Sequence, residues 1–305
     1  MLGLFGPWFA ALAACGSSAP SLQAAAGAGD GTSGSTSDPS GGSSSVAGSD
    51  SGSNSVAGSV SDGGAAGSTA AGGGVGGAGG AMAACLPPAP DASAGALTLH
   101  IAGDSTAAIF PATDPRVGWG AVLQPFFMDA VKVHDAAQSG RSSKSFIDEG
   151  LWTTLKTQIH PGDYVFIEFG HNDEKNADSL RYTNPATTYR DYLKTYVCET
   201  RSLGAIPILL TSISRRSFAG ALITATHGAY PAAVIAVGAE TSTPVIDMTE
   251  RTRVWLEALG PDASLPFFAP GDNTHLSASG APEVAKLVVA GIVDANLPLA
   301  SELLP

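Results

Sequence analysis

A serine at the end of an apolar run, together with a histidine preceded by an aspartate three positions earlier, are the residue types of nucleophilic acyl transfer. Both occur in this chain. The run Leu97-Thr98-Leu99-His100-Ile101-Ala102 contains no Gly or Pro and stops at Gly103-Asp104-Ser105-Thr106, which reads as a buried strand ending in a turn. Such a strand presents the Ser105 hydroxyl at the carboxyl end of a sheet, where open α/β folds place their ligands. Near the C-terminus stands Asp272-Asn273-Thr274-His275. In a tight loop the carboxylate can hold one imidazole nitrogen while the other faces outward, the orientation a serine nucleophile needs from its base. Ser105 is therefore the candidate nucleophile, His275 the candidate base and Asp272 its orienting partner. Of the six histidines, only His275 has an Asp at that spacing. His100 and His134 fall inside strand patterns and read as core or face residues, while His160 and His227 lie in loops with no partner evident.

A tetrahedral intermediate also needs donors aimed at its oxyanion. Gly140 can bring a backbone amide close because it has no side chain, and Asn172 offers a side-chain amide. Seen alone, each is an ordinary turn residue; beside Ser105 they complete a site. Asp104 and Asp173 are expected to fix their loops by bonding backbone amides. No cysteine pair has zinc-site spacing and no His-Glu-x-x-His occurs, so neither of these zinc motifs is present.

Elements that could position these residues follow in alternation. Val131–Ala137 reads as a second strand, Asp163–Phe169 as a third, Ile206–Leu210 as a fourth and Pro244–Met248 as a fifth. Helical spacing is read over Gly118–Met128, Phe146–Ile159, Pro185–Leu203 and Ala232–Ala239, with a last helix from Ser279, as its cap, to Ala295. Strands alternating with helices imply right-handed crossovers and a parallel sheet covered on both faces. The expected fold is a three-layer α/β/α sandwich with a central parallel sheet of about five strands. Its polar loops, bearing Ser105, Gly140, Asn172 and Arg215-Arg216, then converge on one sheet edge.

The remaining chain differs in kind. No Lys or Arg precedes Arg116, and residues 16 to about 82 are almost entirely Gly, Ser, Ala, Thr and Asp, too polar to bury a core. Residues 1–15 read as an export signal, 16–90 as a flexible linker and 91–305 as one catalytic domain. Leu12-Ala13-Ala14-Cys15 is similar to the lipobox of bacterial lipoproteins, which implies membrane attachment through a lipidated Cys15 and a place in the cell envelope; an ordinarily cleaved secretory signal is the alternative. With Cys15 set aside, Cys85 and Cys198 either pair or stay free thiols, and both readings stand. The formal charge of −12 argues against nucleic acid, and a monomer is expected.

Taken together, Gly103-Asp104-Ser105, Gly140, Gly170-x-Asn172-Asp173 and Asp272-x-x-His275 resemble the four blocks of the SGNH (GDSL-type) hydrolases. Gly118-Trp119-Gly120, Ser139-Gly140-Arg141-Ser142, Phe169-Gly170-His171-Asn172-Asp173 and Arg215-Arg216-x-Phe218 are similar, more narrowly, to the rhamnogalacturonan acetylesterases. The resemblance implies a flavodoxin-like sheet and a Ser105–His275–Asp272 triad. It also implies an oxyanion hole from the amides of Ser105 and Gly140 with the Asn172 side chain, and no metal. The implied substrate is an acetylated, anionic pectic polysaccharide, whose carboxylates Arg141, Lys144, Arg215 and Arg216 could meet; for Arg215 and Arg216 the alternative is structural pairing. Trp119 reads as core. A lipid or aryl esterase with the same triad, or a tethered carbohydrate-binding protein with a vestigial site, are the rival readings.

Overall fold

The computed structural model describes residues 97–305 together with Cys85. The expected export signal and, Cys85 apart, the expected linker lie outside the described residues. Five strands form one parallel sheet: β1 (Leu97–Gly103), β2 (Val131–Asp135), β3 (Tyr164–Glu168), β4 (Ile206–Leu210) and, after a short antiparallel hairpin of β5 (Phe218–Ala219) and β6 (Leu222–Ile223), β7 (Val245–Ile246). The order across the sheet is β2-β1-β3-β4-β7. The chain leaves β1 in one direction and β3 in the other, so the loops after these two strands separate at the point where open α/β sheets form a crevice. Register fixes them at the same edge: Gly103 pairs with Glu168 and Ile101 with Asp135.

The alternating side chains of the strands feed two apolar layers. On one face Leu99, Ile101, Phe166, Ile208 and Leu210 pack with Met248 and Leu256 of α5 (Met248–Ala263) and with Val284, Val288 and Ile292 of α6 (Gly280–Asp294). On the other, Ala102, Val165, Ile167 and Leu209 meet residues of α1 (Ser143–Asp148), α2 (Leu151–Lys156), α3 (Thr188–Ser202) and α4 (Tyr230–Thr241). The three layers are those expected.

Several elements differ from the sequence reading. The segment expected as a helix over Gly118–Met128 forms two 3-10 turns, Gly120–Val122 and Gln124–Phe126, with Pro125 opening the second. The helix expected over Phe146–Ile159 is two short helices, because Gly150 between them takes φ 79°; the first starts at Ser143, where Ser142 and Ser145 form a reciprocal capping box. Strand β7 has two residues, since Asp247 accepts from the Glu250 amide and starts α5, a helix that the sequence reading assigns to no element. At α6 the side chain of Ser279 does not cap; the Ser277 hydroxyl accepts from the Ser279 and Gly280 amides instead, each at 3.2 Å. Cys85 and Cys198 are disulfide-bonded with Cα atoms 4.3 Å apart. No helix among the described residues is long and apolar enough to cross a membrane.

Candidate active site

The nucleophile loop is shaped by a carboxylate and clamped by two glycines. Asp104, fully buried, accepts from the Thr106 amide and the Thr106 hydroxyl, both at 2.9 Å. From the following segment the Gly118 amide donates to Ala108 O, Trp119 to Thr106 O and Gly120 to Ala107 O, at 3.0–3.1 Å. This approach needs Gly118, where a Cβ would lie 2.1 Å from the Ala107 carbonyl carbon. Trp119 is buried in the core, as read from sequence. Thr106 Oγ1 also lies 3.0 Å from Glu168 Oε2. Burial, and then the nearby Asp104 charge, push Glu168 well above the carboxylate range. Burial acts upward on Asp104 as well, but His171 and the two Thr106 donors outweigh it and leave its value lowered. The Thr106 hydroxyl thus bridges the two buried carboxyl groups, 2.9 Å from Asp104 Oδ1 and 3.0 Å from Glu168 Oε2.

His275 Nε2 lies 2.9 Å from Ser105 Oγ, and its Nδ1 lies 2.6 Å from Asp272 Oδ2. The other Asp272 oxygen accepts from the amides of Thr274 at 2.6 Å and His275 at 3.0 Å. One oxygen folds the turn and the other orients the ring. Because a carboxylate only accepts, the proton sits on Nδ1 and leaves Nε2 free to accept from Ser105. Burial acts upward on Asp272, but the imidazole and the two amides outweigh it and hold the carboxyl below its ordinary value. The loop is anchored by Val117 N to Leu276 O and Ala269 N to His275 O, both at 2.9 Å.

Gly140 takes φ 82°, the left-handed region. Asn172, 3% exposed, donates one amide hydrogen to Arg141 O at 2.9 Å, while its Oδ1 accepts from Lys175 Nζ at 2.7 Å. The second amide hydrogen remains free. Asp173 bonds backbone as expected, but across the site: it accepts from the Ser143 amide and hydroxyl and from Thr183 Oγ1 at 2.8 Å.

The cations read as substrate-binding are occupied. Arg141 pairs with Glu149 at 2.8 Å, and Arg215 pairs with Glu174 and donates to Thr274 Oγ1 at 3.2 Å. Arg216 donates to Asn273 Oδ1 at 2.8 Å and Ser264 Oγ at 3.0 Å, and Lys144 to Ser179 O at 2.6 Å. Arg215 and Arg216 thus brace the loop that carries His275. His100 is held in the core by Asp163 at 3.2 Å and His134 at 3.0 Å. His227, read as without a partner, is buried between Glu174 at 3.1 Å and Ile213 O at 2.9 Å.

The sequence reading missed Thr106, Glu168 and Lys175. Glu168 had a signal: it is the one ionisable acid in the otherwise apolar strand β3. Among the described residues, Asp104, Glu168 and His171 alone bring three potential metal-ligand atoms within 4.8 Å of one another.

A serine, an imidazole and a carboxylate in line at the carboxyl edge of a parallel sheet are the equipment of a carboxylic ester hydrolase. The chain belongs to the GDSL-like lipase/acylhydrolase family, whose profile matches residues 101–281. It is 39% identical over 222 residues to the rhamnogalacturonan acetylesterase RhgT of Bacillus subtilis, a match covering 68% of this chain and 94% of that one. It is 28% identical over 226 residues to a rhamnogalacturonan acetylesterase of Emericella nidulans, covering 68% and 89%. In fold it is similar to the protein YxiM of Bacillus subtilis, with TM-score 0.62 and 23% identity over 66% of this chain and 57% of that one. It is also similar in fold to Axe2, an acetylxylan esterase from Geobacillus stearothermophilus, with TM-score 0.51 and 19% identity over 65% and 94%.

Proposed function

We propose that the chain is a carbohydrate O-acetylesterase acting on acetylated rhamnogalacturonan through an acetyl-enzyme. The observation that carries this reading is the line from Asp272 through His275 to Ser105, with contacts of 2.6 and 2.9 Å. Ser105 Oγ attacks the acetyl carbonyl carbon as its proton passes to His275 Nε2, and the carbonyl electron pair moves onto oxygen. The amides of Ser105 and Gly140 and the free hydrogen of Asn172 stabilise that oxyanion. Its collapse expels the sugar oxygen, which takes the proton from His275. Water then gives a proton to His275 and attacks the acetyl-serine; collapse of this second intermediate releases acetate and expels Ser105 Oγ, which takes the proton back from His275.

Acetyl removal and the pectic substrate are supported by the two similar acetylesterases, of bacterial and fungal origin. The proposal includes export, with Cys15 as the lipidated residue; the Cys85–Cys198 bond suits the oxidising compartment that export implies. Acetate release from acetylated rhamnogalacturonan and from acetylated xylan tests the substrate. Release from the pectic polymer in clear preference supports the proposal, and preference for xylan or for long-chain acyl esters would overturn it.

A further inference from the structure

The acidic chain places three cations around its oxyanion-forming residues. Lys175 Nζ rests on Asn172 Oδ1 at 2.7 Å. Arg181 Nη1 lies 3.7 Å from where a Cβ on Gly140 would stand, and Arg215 is held by Glu174. Arg181 is paired to Asp178 at 2.6 Å, so two of the three charges have acidic partners. Lys175 has none: among the described residues no carboxylate lies within 4.0 Å of its ammonium. Lys144 and Arg216 also lack an acid, but they are bonded to Ser179 O and to Asn273 and Ser264, away from Asn172. Lys175 as a whole is exposed. Burial of the amine, followed by repulsion from Arg181 and Arg215, holds its pKa below the ordinary lysine value, and the distant Asp104 and Asp178 offset this only in part.

We infer that Lys175, flanked by Arg181, is an anion subsite beside the oxyanion hole and takes the carboxylate of a uronate unit at the acetylated position of the polymer. This deepens the proposed function and rests on its placing of the ester carbonyl between Ser105 and Asn172. An incoming carboxylate supplies the counter-charge that the protein withholds, and it finds a cation already oriented by Asn172. A neutral sugar chain would leave that charge uncompensated. Substrate choice would then be written in one unpaired lysine, in a domain whose other site cations are engaged in holding loops.

The test uses the full chain and the variants Lys175→Met and Lys175→Arg, with two readouts. The first is kcat/KM for acetate release from acetylated galacturonan and from neutral acetylated xylan. The second is competitive inhibition of 4-nitrophenyl acetate hydrolysis by trigalacturonate, which needs no polysaccharide turnover. Lys175→Met is expected to weaken trigalacturonate inhibition by about 10- to 100-fold, the scale of one charge-assisted hydrogen bond. It should also lower kcat/KM on the anionic polymer, through KM, by that factor beyond any loss on the neutral one, and Lys175→Arg should restore most of both. Equal losses in kcat on both polymers with unchanged inhibition would reduce Lys175 to a prop for Asn172 and overturn the subsite. Should the parent prefer xylan while Lys175→Met still abolishes trigalacturonate inhibition, the rhamnogalacturonan reading fails and the anion subsite stands.

Discussion

His275 Nε2 lies 2.9 Å from Ser105 Oγ although 170 positions separate them in the chain. Asp272 makes that contact productive, since its 2.6 Å bond to Nδ1 decides which nitrogen faces the serine. Asp272→Asn can present an amide hydrogen to Nδ1 and turn the ring to the wrong tautomer. Its kcat is expected to fall by about 10³- to 10⁴-fold with the fold intact. A loss of less than tenfold, measured on any acetyl ester, would remove Asp272 from the relay.

Asn172 commits one amide hydrogen to Arg141 O and leaves the other free. Asn172→Ala should therefore cost kcat about 10²- to 10³-fold on 4-nitrophenyl acetate, the usual effect of losing one oxyanion donor, with little change in KM for this uncharged ester. Activity within threefold of the parent would exclude this role.

Gly118 allows the segment 118–120 to lie on the nucleophile loop. A Cβ there would fall 2.1 Å from backbone carbon and 2.2 Å from backbone oxygen of Ala107, and neither can move as a side chain tip would. Gly118→Ala should destabilise by about 2–3 kcal/mol, lowering Tm by roughly 5–10 °C. A Tm within 1 °C of the parent, on the order of the scatter of a melting curve, would show that the clamp yields freely.

Burial lifts the Asp135 carboxyl to about 7, against an opposing hydrogen bond from the Ala137 amide. The residue is half-buried as a whole, but its Oδ2 is fully enclosed without a partner. Between 3.8 and about 7 the native chain keeps a proton that the unfolded chain has released. The stability this contributes is complete below 3.8 and is lost as pH rises through about 7. Asp135→Asn should flatten the fall of Tm across this window, and an unchanged slope would contradict the assignment.

How far the sequence discloses all this depends on whether a signal is local. Strand β4 is legible to the residue because five residues free of charge lie between Ala205 and Thr211. The loops of Ser105 and Asn172 are legible because each follows an apolar strand, that of Gly140 because it follows the alternating Val131-Lys132-Val133, and parallel pairing brings the strand ends together. Helix α5 is obscured because Asp247 both ends β7 and caps the helix, and Gly260-Pro261 break the pattern near its end. The sites of Arg215 and Arg216 are visible in sequence, but their partners Glu174, Thr274, Asn273 and Ser264 lie 41 to 59 positions away. Lys175 carries no signal of its own; its significance comes from the lack, among the described residues, of a carboxylate beside its ammonium.

The central claim is that Ser105 carries the acyl group, and the most direct measurement is to trap it there. The protein is mixed with an activated acetyl ester, quenched in acid during turnover, digested, and the modified peptide located by mass spectrometry. The account predicts a single acetyl group on Ser105, absent from Ser105→Ala, which should release no acetate above background. Acetate release by the parent with no acetyl on Ser105, together with undiminished activity in Ser105→Ala, would contradict it.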